Sequence, residues 1–511
     1  MKSLEQLREE IDAVDMKLLE CFEERMAVAR EIGNAKRRAG LDVLDEQRED
    51  AKLGDIEKEA GFESRPYARE LYGTVMKLAR DHQSKPAFGV LGRSLPHTYS
   101  PEIHNIVNPS YSYSVIEREE EELDELYAGK YFKGFNVTIP YKKDAFARAD
   151  VRDKAAEATG SVNTVVFGDD GKVYGYNTDC FGFTYMLHRA GVDPAGKKIL
   201  MLGTGGAACA VEHSLKSLDA GEIIACDLNT EVNYSNVYER AASCEILVNC
   251  TPVGMYPGVD KMLVDITRFP KLEACLDVIY NPSRTKLLQS AEEKGLKVCG
   301  GLAMLVAQAY KSSKIFTGDI EGAENINADD EKIIENVIRL LENRMRNITL
   351  IGMPGSGKSI LARHIAKITG RKLVDLDEAY REKFSESAAD TISSLGEDAF
   401  RSRESVVAAE VLPQSGLVVS CGGGVVTRDV NKFFVRCNSN VFYLDRPLSA
   451  ITDKNRPVSI ANGIAVLYEQ RKDKYDGWSD CKISFDRFDN KQEFLDTASK
   501  AVLDILEGGE E

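Results

Sequence analysis

The chain has 511 residues, of which 43% are hydrophobic and 29% charged, and its formal net charge is −16. At about 150 residues per domain, this length is too great for one hydrophobic core, so several domains are expected. The negative charge argues against a protein that coats DNA or RNA, because phosphate binding needs a basic surface. Small anionic molecules remain candidate ligands, since a few local cations can hold them.

No segment is typical of export or of a membrane span. The first residues are charged throughout, and no run reaches the roughly 18 apolar residues that a membrane helix needs. The 11 cysteines form no Cys-x-x-Cys pair, which argues against a zinc site and favours reduced thiols. We therefore expect a cytoplasmic protein with neither a membrane nor a nucleic-acid partner.

The first 84 residues predict a helical domain. Between residues 3 and 32, apolar side chains recur every three or four positions without proline or glycine, which indicates one long amphipathic helix. Shorter helical patterns follow at 45–60 and 66–82. A three-helix segment of this kind is often a dimerisation module, and that interpretation stays open here.

Charged residues of this domain share helix faces. Arg25 and Lys36 are 11 residues apart, which at about 100° per residue places them within about 20° of each other if the helix continues past Gly33. On the second helix, Asp45, Arg48 and Glu49 share a face through their spacing of three and four residues. Such faces favour an anion-binding site over a purely structural helix.

The arrangement resembles the helical chorismate mutase family over residues 1–84, with L-R-E-x-I-D at 7–12 and D-x-x-R-E at 45–49. The resemblance implies an all-α fold, a homodimer through this domain and a pericyclic rearrangement of chorismate to prephenate, in which positioned cations replace a nucleophile. It implies Lys36 and Arg25 as catalytic residues. The chorismate ligands that it implies are Arg8 of the partner subunit, Arg25, Lys36, Asp45, Arg48, Glu49 and Gln83.

From residue 87 to about 320, short apolar runs alternate with glycine-rich turns and helical stretches, as in parallel α/β units. Four motifs appear in order, 88-FGVLGRSLPHTYSPEIHN, 136-NVTIPYK, 160-GSVNT and 175-GYNTD. They resemble shikimate dehydrogenase over residues 87–320.

This resemblance implies a substrate domain at 87–182 and 296–320 around a Rossmann dinucleotide-binding domain at 183–295. Lys142 and Asp179 would form the catalytic pair, because moving a hydride between an alcohol and nicotinamide needs a proton relay. The shikimate-binding residues that it implies are Thr98, Ser100, Asn136, Thr138, Asn163, Tyr280 and Gln308.

The turn 203-GTGGAA follows an apolar strand and is a variant of the dinucleotide fingerprint. Where the family usually has Asn-Arg-Thr, whose arginine recognises the 2′-phosphate of NADP, this chain has Asp227-Leu228-Asn229. An acidic side chain accepts hydrogen bonds from a 2′-hydroxyl and repels a 2′-phosphate, so we hypothesise a preference for NAD over NADP. Thr98 and the missing arginine also leave quinate open as a second substrate. The implied cofactor residues are Gly203, Gly205, Gly206, Ala207, Asp227 and Gly301.

Residues 321–346 are interpreted as a linker helix that leads to a third domain at 347–511. There, 352-GMPGSGKS fits the pattern G-x-x-x-x-G-K-[ST] between an apolar strand and a helical segment. Glycines of such a loop let backbone N–H groups wrap a phosphate, while Lys358 reaches the outer phosphates and Ser359 ligates Mg²⁺. The loop therefore predicts a nucleotide site but does not identify the phosphate acceptor.

Three further motifs identify it: Asp375-Leu376-Asp377, 396-GEDAFRSRE and 467-LYEQRKDKY. With the P-loop they resemble shikimate kinase over residues 347–506. Phosphoryl transfer from ATP would then need Lys358 and Asp377 as catalytic residues, Asp377 orienting or deprotonating the shikimate 3-hydroxyl. The implied ligands are Gly355, Ser356, Gly357, Lys358, Ser359 and Arg456 for ATP, Asp377, Arg401, Gly423, Gly424 and Arg471 for shikimate, and Ser359 and Asp375 for magnesium.

The sequence thus predicts a multifunctional enzyme of aromatic amino acid biosynthesis, with small-molecule substrates. The competing interpretation is a regulatory or scaffold protein that senses shikimate or quinate through one or more inactive domains. Such a protein could lose Lys358, Asp377, Lys142 and Asp179, yet all four are present.

Overall fold

A computed structural model describes residues 2–39, 41–96, 98–129, 131–448, 463–484 and 491–507. They form two compact units, each made of two stretches of chain. One comprises Met1–Thr178 and Ala309–Ile326, and the other comprises Asp179–Gln308 and Asn327–Glu511.

The first unit begins with three α-helices, which are α1 (Leu4–Arg38), α2 (Glu46–Glu59) and α3 (Arg65–Ser84). Helix α1 continues past Gly33, as the shared face of Arg25 and Lys36 requires. A Cβ on Gly33 would lie 2.9 Å from Gln83 Cγ, so this glycine permits the close packing of α1 and α3. Asp45 caps α2 by accepting a hydrogen bond from the Arg48 N–H at 3.1 Å.

A six-stranded mixed sheet follows, with strand order β2-β1-β3-β5-β6-β4. Strand β1 pairs in parallel with β2 and β3, whereas β5 is antiparallel to both β3 and β6. All six residues of β1 are buried, as expected of a strand covered on both faces. The elements are β1 (Ala87–Gly92), α4 (Ser100–Val107), β2 (Ser112–Glu117), α5 (Leu123–Gly129), β3 (Gly134–Val137), α6 (Lys142–Arg148), β4 (Val151–Arg152), α7 (Lys154–Thr159), β5 (Thr164–Phe167) and β6 (Val173–Tyr176).

The second unit opens with a parallel five-stranded sheet of order β11-β10-β9-β7-β8. Strand β11 lies beyond residue 295, where the sequence analysis ended the Rossmann segment, and pairs with β10 along its whole length. The elements are α8 (Asp179–Arg189), β7 (Lys198–Leu202), α9 (Gly206–Ser217), β8 (Glu222–Cys226), α10 (Val237–Arg240), β9 (Ile246–Asn249), β10 (Ala274–Asp277), α11 (Lys286–Glu293) and β11 (Lys297–Gly300).

Helix α12 (Leu302–Phe316) runs from the second unit into the first, where α13 (Ile320–Glu324) follows. The predicted linker contains α14 (Ala328–Met345), whose buried residues include Ile334, Ile338 and Leu341. The Tyr185 hydroxyl donates to the Glu335 carboxylate at 2.7 Å, so α14 packs against α8 within the second unit.

The last region is a second parallel sheet of order β13-β14-β12-β15-β16. Every residue of β12 is buried, and the core beside it includes Trp478, the single tryptophan of the chain. The elements are β12 (Asn347–Gly352), α15 (Lys358–Thr369), β13 (Leu373–Asp375), α16 (Leu376–Phe384), α17 (Ala388–Leu395), α18 (Glu397–Val411), β14 (Val418–Ser420), α19 (Val430–Cys437), β15 (Ser439–Asp445), α20 (Ile464–Trp478), β16 (Cys481–Ser484) and α21 (Lys491–Glu507). Among the described helices, none combines the length and apolar character of a membrane span.

Candidate active sites

The loop between β12 and α15 has the backbone conformation that the sequence motif predicts. Gly352, Gly355 and Gly357 have φ values of 143°, 88° and 103°, a region that side chains rarely adopt. Lys358 Nζ donates to the carbonyls of Gly352 and Met353, each at 2.9 Å, and so folds back over the loop. These glycines and this lysine form a cradle at the N-terminus of α15 that suits a phosphate.

Side-chain oxygens of Ser359, Asp375 and Ser420 lie beside this cradle. Ser359 Oγ donates to Asp375 Oδ2 at 2.9 Å and lies 3.0 Å from Ser420 Oγ. Asp375 ends β13 and caps α16, where its other oxygen accepts from the Asp377 N–H at 3.0 Å. No cluster of three or more His, Cys, Asp or Glu suited to a metal occurs in the described segments. An alcohol and one carboxylate nevertheless fit Mg²⁺, which often binds few protein oxygens and completes its shell with water and phosphate.

A cavity of about 670 Å³ extends from the P-loop to α20. Arg471 Nη1 donates to the Gly423 carbonyl at 3.0 Å, and the Tyr475 hydroxyl donates to the same oxygen. The predicted residues that line this cavity are Gly355, Gly357, Lys358, Ser359, Asp377, Arg401, Gly423, Gly424 and Arg471. Arg381 and Arg446 line it too, although the sequence analysis gave them no role. Arg456 lies outside the described residues, and Ser356 Oγ is buried in the loop without a hydrogen-bond partner.

Two glycines let charged side chains approach the backbone of this cavity. A Cβ on Gly424 would lie 1.9 Å from Arg401 Nη1, and one on Gly422 would lie 3.0 Å from Asp377 Oδ1. Arg401 also donates to Glu404 at 2.8 Å and to Glu397 at 3.1 Å. The absence of side chains at Gly422 and Gly424 therefore leaves room for Asp377 and Arg401. The local sequence did not reveal this reason for the glycines.

The carboxylates of the cavity are electrostatically coupled. Asp377 is exposed to the cavity, yet the protein around it removes part of its hydration and so raises its pKa, as does neighbouring Asp375, while Lys358 and Arg401 oppose the rise. Burial likewise raises the pKa of Glu404, against the attraction of Arg401. A carboxylate with a raised pKa next to a phosphate cradle is suited to accept a proton.

In the first unit, the predicted residues Thr98, Ser100, Thr138 and Lys142 lie on the segments that follow β1 and β3. Thr98 Oγ1 donates to Ser100 Oγ at 3.2 Å, ahead of α4. Thr138 follows β3, its N–H bonded to the Leu91 carbonyl at 2.9 Å, and Lys142 opens α6 and is half-buried.

The two predicted asparagines of this unit lie in a buried hydrogen-bond network. Asn136 accepts from the Tyr113 hydroxyl at 2.7 Å and donates to Ser312 Oγ at 2.9 Å. Asn163 accepts from the Thr178 N–H at 2.8 Å. Both asparagines therefore make hydrogen bonds that stabilise the protein interior. Ser312, which accepts from Asn136, comes from a distant part of the sequence.

The second unit holds the predicted cofactor residues. Gly203 has φ 92°, and a Cβ there would lie 2.6 Å from Thr251 Cγ2. Gly205 caps α9, which Gly206 and Ala207 open. A Cβ on Gly301 would lie 1.9 Å from the Val278 carbonyl oxygen, so the chain passes very close to the segment after β10.

Asp227 follows β8 and ties this strand end to the glycine-rich turn. Its Oδ2 accepts from the Thr204 hydroxyl at 2.6 Å and from the Thr204 N–H at 2.9 Å, and its Oδ1 accepts from the Leu228 N–H at 2.7 Å. These hydrogen bonds hold the pKa of Asp227 below its ordinary value, so the carboxylate is charged at neutral pH.

The remaining predicted dehydrogenase residues of this unit are Asp179, Tyr280 and Gln308. Asp179 is buried at the start of α8, and Tyr280 lies between β10 and α11. Gln308 lies on α12 and donates to the Leu305 carbonyl at 2.9 Å. Lys142 and Asp179, the predicted catalytic pair, belong to different units.

The helical domain carries its predicted residues on α1, at the start of α2 and, for Gln83, on α3. Lys36 Nζ donates to the Val43 carbonyl at 2.6 Å, and Arg25 Nη1 is buried without a hydrogen-bond partner. Arg8 and Arg48 are exposed, whereas Glu49 is paired with Arg80 of α3. Arg80 was not predicted from the sequence, because 31 residues separate it from Glu49.

Helix α1 also exposes an apolar stripe. Its members recur every three or four residues, and each is between 49% and 66% exposed. They are Leu4, Leu7, Ile11, Val14 and Leu18. The sequence periodicity that predicted an amphipathic helix therefore does not lead to burial in the single chain.

Three family models match the chain in order. Chorismate mutase type II matches residues 7–84, the shikimate dehydrogenase substrate binding domain matches 90–165, and shikimate kinase matches 354–501. Each match lies within one of the three regions that the motifs distinguish.

Full-length relatives are similar to the middle region. Shikimate dehydrogenase (NADP(+)) of Clostridium perfringens strain SM101 is 37% identical over 261 residues, which cover 47% of this chain and 96% of the relative. The enzyme of the same name from Carboxydothermus hydrogenoformans is 36% identical over 255 residues, covering 45% and 91%. A chorismate mutase/shikimate 5-dehydrogenase fusion protein from Clostridium acetobutylicum has a solved structure with 32% identity and a TM-score of 0.46, covering 51% of this chain and 98% of that one.

Near-complete coverage of the dehydrogenase relatives, together with kinase and mutase matches on either side, identifies the chain. It belongs to the shikimate dehydrogenase family and is a multifunctional enzyme of aromatic biosynthesis that also carries a chorismate mutase domain and a shikimate kinase domain.

Proposed function

We propose that this one chain reduces 3-dehydroshikimate to shikimate, phosphorylates shikimate at its 3-hydroxyl and rearranges chorismate to prephenate. The observation that carries the proposal is the kinase cavity, where the P-loop lysine Lys358, Asp377 and two arginines, Arg401 and Arg471, line one space. Among the described lining residues, the five cations Lys358, Arg381, Arg401, Arg446 and Arg471 outweigh the two carboxylates Asp377 and Glu404, and they leave positive charge for a substrate carboxylate.

In the kinase reaction, each group has a separate task. Lys358 leaves its loop carbonyls to hold the outer phosphates of ATP, while Arg401 and Arg471 hold the shikimate carboxylate and fix the ring. Asp377 receives the proton of the 3-hydroxyl, for which its raised pKa is suited. Ser359 and Asp375 would hold Mg²⁺, which neutralises charge on the transferring phosphoryl group. The role of Arg456 in binding ATP remains a prediction from resemblance.

In the dehydrogenase reaction, Lys142 and Asp179 are proposed to move the proton of the substrate hydroxyl. Thr98, Ser100, Thr138, Tyr280 and Gln308 are the proposed shikimate ligands. Asn136 and Asn163 would act mainly by holding this wall rigid, because their amides already bind protein groups. A bound nicotinamide supplies the hydride.

We also propose that the dehydrogenase prefers NAD. Asp227 is charged and lies beside the glycine-rich turn, where it would accept a hydrogen bond from a ribose 2′-hydroxyl and repel a 2′-phosphate. The relatives above carry NADP(+) in their names, so this chain would differ from them. Comparing kcat/KM for both cofactors tests the preference, and an advantage of NADP would contradict it. The same assay with quinate decides whether it is a second substrate.

For the mutase, we propose that Arg25, Lys36 and Arg48 bind the chorismate carboxylates and ether oxygen, with Asp45, Glu49 and Gln83 beside them and Arg8 of the partner subunit completing the site. The exposed apolar stripe of α1 supports a homodimer, because exposed apolar surface of this extent favours association. The Nη1 of Arg25, which is buried without a hydrogen-bond partner among the described residues, supports an anionic ligand.

The domain limits are proposed as 1–84 for the mutase, 87–320 for the dehydrogenase and 347–511 for the kinase, with β11 assigned to the Rossmann part. A cytoplasmic location is proposed as well. It is supported by the 11 cysteines, all unbridged and mostly buried, which suit a reducing compartment. Cell fractionation tests it.

One purified preparation assayed for the three reactions tests the whole proposal. Lys358→Ala should abolish only the kinase activity, Lys142→Ala only the dehydrogenase activity and Arg25→Ala only the mutase activity, so each variant is a folding control for the other two. A wild-type chain that binds shikimate but is silent with Mg²⁺ and ATP would favour the sensor interpretation.

A further inference from the structure

The dehydrogenase segment 278–285, which joins β10 to α11, contacts the kinase domain within the second unit. The Arg284 N–H donates to the Cys437 carbonyl at 2.9 Å. The Ser283 N–H donates to Asn438 Oδ1 at 3.2 Å, and Ser283 Oγ to the Cys437 carbonyl at 3.4 Å. The backbone of this dehydrogenase segment is therefore hydrogen-bonded to the kinase region.

The side chain of Arg284 adds a charged contact. Its Nη1 donates to Asp480 Oδ1 at 2.9 Å, and the Arg284 side chain is only 17% exposed. Asp480 is itself fixed, because its Oδ2 accepts from the Val441 N–H at 2.9 Å. Charge-assisted hydrogen bonds between partly buried, well-fixed groups are among the stronger polar contacts in proteins.

Asn438 is equally well held on the kinase side. It is fully buried, and its amide donates to the Gln414 carbonyl at 3.0 Å and to Ser415 Oγ at 3.1 Å. The oxygen that receives the Ser283 N–H therefore belongs to a fixed side chain. Asn438 and Asp480 together form a rigid kinase surface for the segment.

Segment 278–285 is fixed on its dehydrogenase side too. Thr285 Oγ1 donates to buried Asp277 at 2.7 Å, and the Gly301 N–H donates to the Ile279 carbonyl at 2.9 Å. Tyr280 lies between these two anchors. Its position consequently depends on contacts to both the Rossmann domain and the kinase.

We infer that the kinase domain is a structural part of the dehydrogenase site, with Arg284 and Asp480 as positioning residues that hold the Tyr280 segment through contacts across the domain boundary. This inference rests on the proposed role of Tyr280 in binding shikimate. If Tyr280 is displaced, the dehydrogenase reaction slows although the catalytic groups are intact. The reason is that reacting atoms must be placed within a fraction of an ångström.

The test uses the full chain and the variants Arg284→Met, Arg284→Lys and Asp480→Asn. Removing the guanidinium should lower the dehydrogenase kcat/KM for shikimate about tenfold, mainly through KM, while the mutase activity stays unchanged. Arg284→Lys should recover part of the loss, because it keeps a charge near Asp480. If Arg284→Met does not fold, Asp480→Asn gives the same comparison with a milder change.

Lys432→Met is the matched control. Lys432 pairs with Glu293 of α11 at 2.6 Å across the same domain boundary but does not touch segment 278–285, so its loss should leave dehydrogenase kinetics unchanged. Wild-type kcat and KM in Arg284→Met, or an equal loss in Lys432→Met, would overturn the inference.

Tyr280→Phe separates this inference from the function on which it rests. If Tyr280→Phe raises KM and Arg284→Met does not, the positioning role is wrong and the proposed function stands. If the wild-type chain has no dehydrogenase activity, or Tyr280→Phe behaves like wild type, the role of Tyr280 fails and the inference fails with it.

Discussion

Arg401 and Glu404, three residues apart on α18, form a buried ion pair in which Arg401 Nη1 donates to Glu404 Oε2 at 2.8 Å. Both side chains are less than a tenth exposed. A charge that has lost its water must keep such partners, so this pair fixes where the guanidinium stands in the kinase cavity. Gly424 faces it at a distance that leaves no room for a side chain.

Gly424→Ala should therefore abolish most shikimate phosphorylation. The added Cβ would lie 1.9 Å from Arg401 Nη1, so the arginine must leave its place. KM for shikimate should rise more than KM for ATP in a coupled kinase assay.

Gly477→Ala is the control for that change. Gly477 lies in α20 with no atom within 4 Å of its Cβ position, so alanine should raise stability by up to about 1 kcal/mol through helix propensity and leave activity alone. Wild-type shikimate KM in Gly424→Ala would contradict the proposed role of Arg401.

The pH dependence of the kinase should reflect Asp377. Its carboxylate must be deprotonated to accept the hydroxyl proton, and burial raises its pKa, so the acid limb of kcat/KM should lie above the range of an ordinary aspartate near pH 3.9. The mutase activity of the same preparation should not share this limb. A profile without it would remove Asp377 as the base.

The same raised pKa predicts a stability effect of opposite sign to the activity effect. A carboxyl whose pKa is higher in the folded state favours folding when protonated and disfavours it as pH rises through that pKa. Asp377→Asn should thus unfold at a higher temperature than wild type at neutral pH, and the difference should vanish near pH 4. It should also have no kinase activity.

Cofactor choice should respond to the residues that follow β8. Asp227→Asn combined with Leu228→Arg should raise kcat/KM for NADP tenfold or more, because it removes a repelling carboxylate and adds a phosphate ligand. A gain of this size is on the order of the free energy of one charge-assisted hydrogen bond. Leu228 is 75% exposed, so an arginine fits there. Leu228→Arg alone keeps the repulsion and should give a smaller gain, and equal gains would show that Asp227 is not the discriminating residue.

The mutase should depend on the apolar stripe of α1. Ile11→Glu should produce a monomer in sedimentation experiments and lose chorismate turnover, while the dehydrogenase and kinase remain active. Met16 is the matched control, because it is similarly exposed but lies five residues on, about 140° around the helix. A dimeric Ile11→Glu chain, or equal dissociation of Met16→Glu, would contradict the proposed interface.

Local patterns in the sequence predicted the parts of the kinase that are built from neighbouring residues. The P-loop sits between a strand and a helix, and Asp375 and Asp377 follow the next strand, so short-range geometry decides their positions. Helix α1 was predicted from periodicity alone. Gly33 does not end the helix, and the close approach of Gln83 in α3 is a reason for glycine at that position.

Contacts between distant residues could not be predicted in this way. The partners Ser312 for Asn136 and Arg80 for Glu49 lie 176 and 31 residues away, and no periodicity connects them. Strand β11 has only four residues, and its membership of the Rossmann sheet depends on pairing with β10. Segment 278–285 likewise acquires its kinase contacts only in the folded chain.

Trp478 lies in the buried core of the kinase, on the helix that carries Arg471 and two residues before Asp480. As the only tryptophan of the chain, it makes intrinsic fluorescence a signal from one domain of a three-domain enzyme. Emission excited at the indole band therefore reports unfolding of the kinase alone and binding events that reach α20. The kinase domain can therefore be followed in the full chain, without a label or a truncation, in the presence of the dehydrogenase and mutase domains.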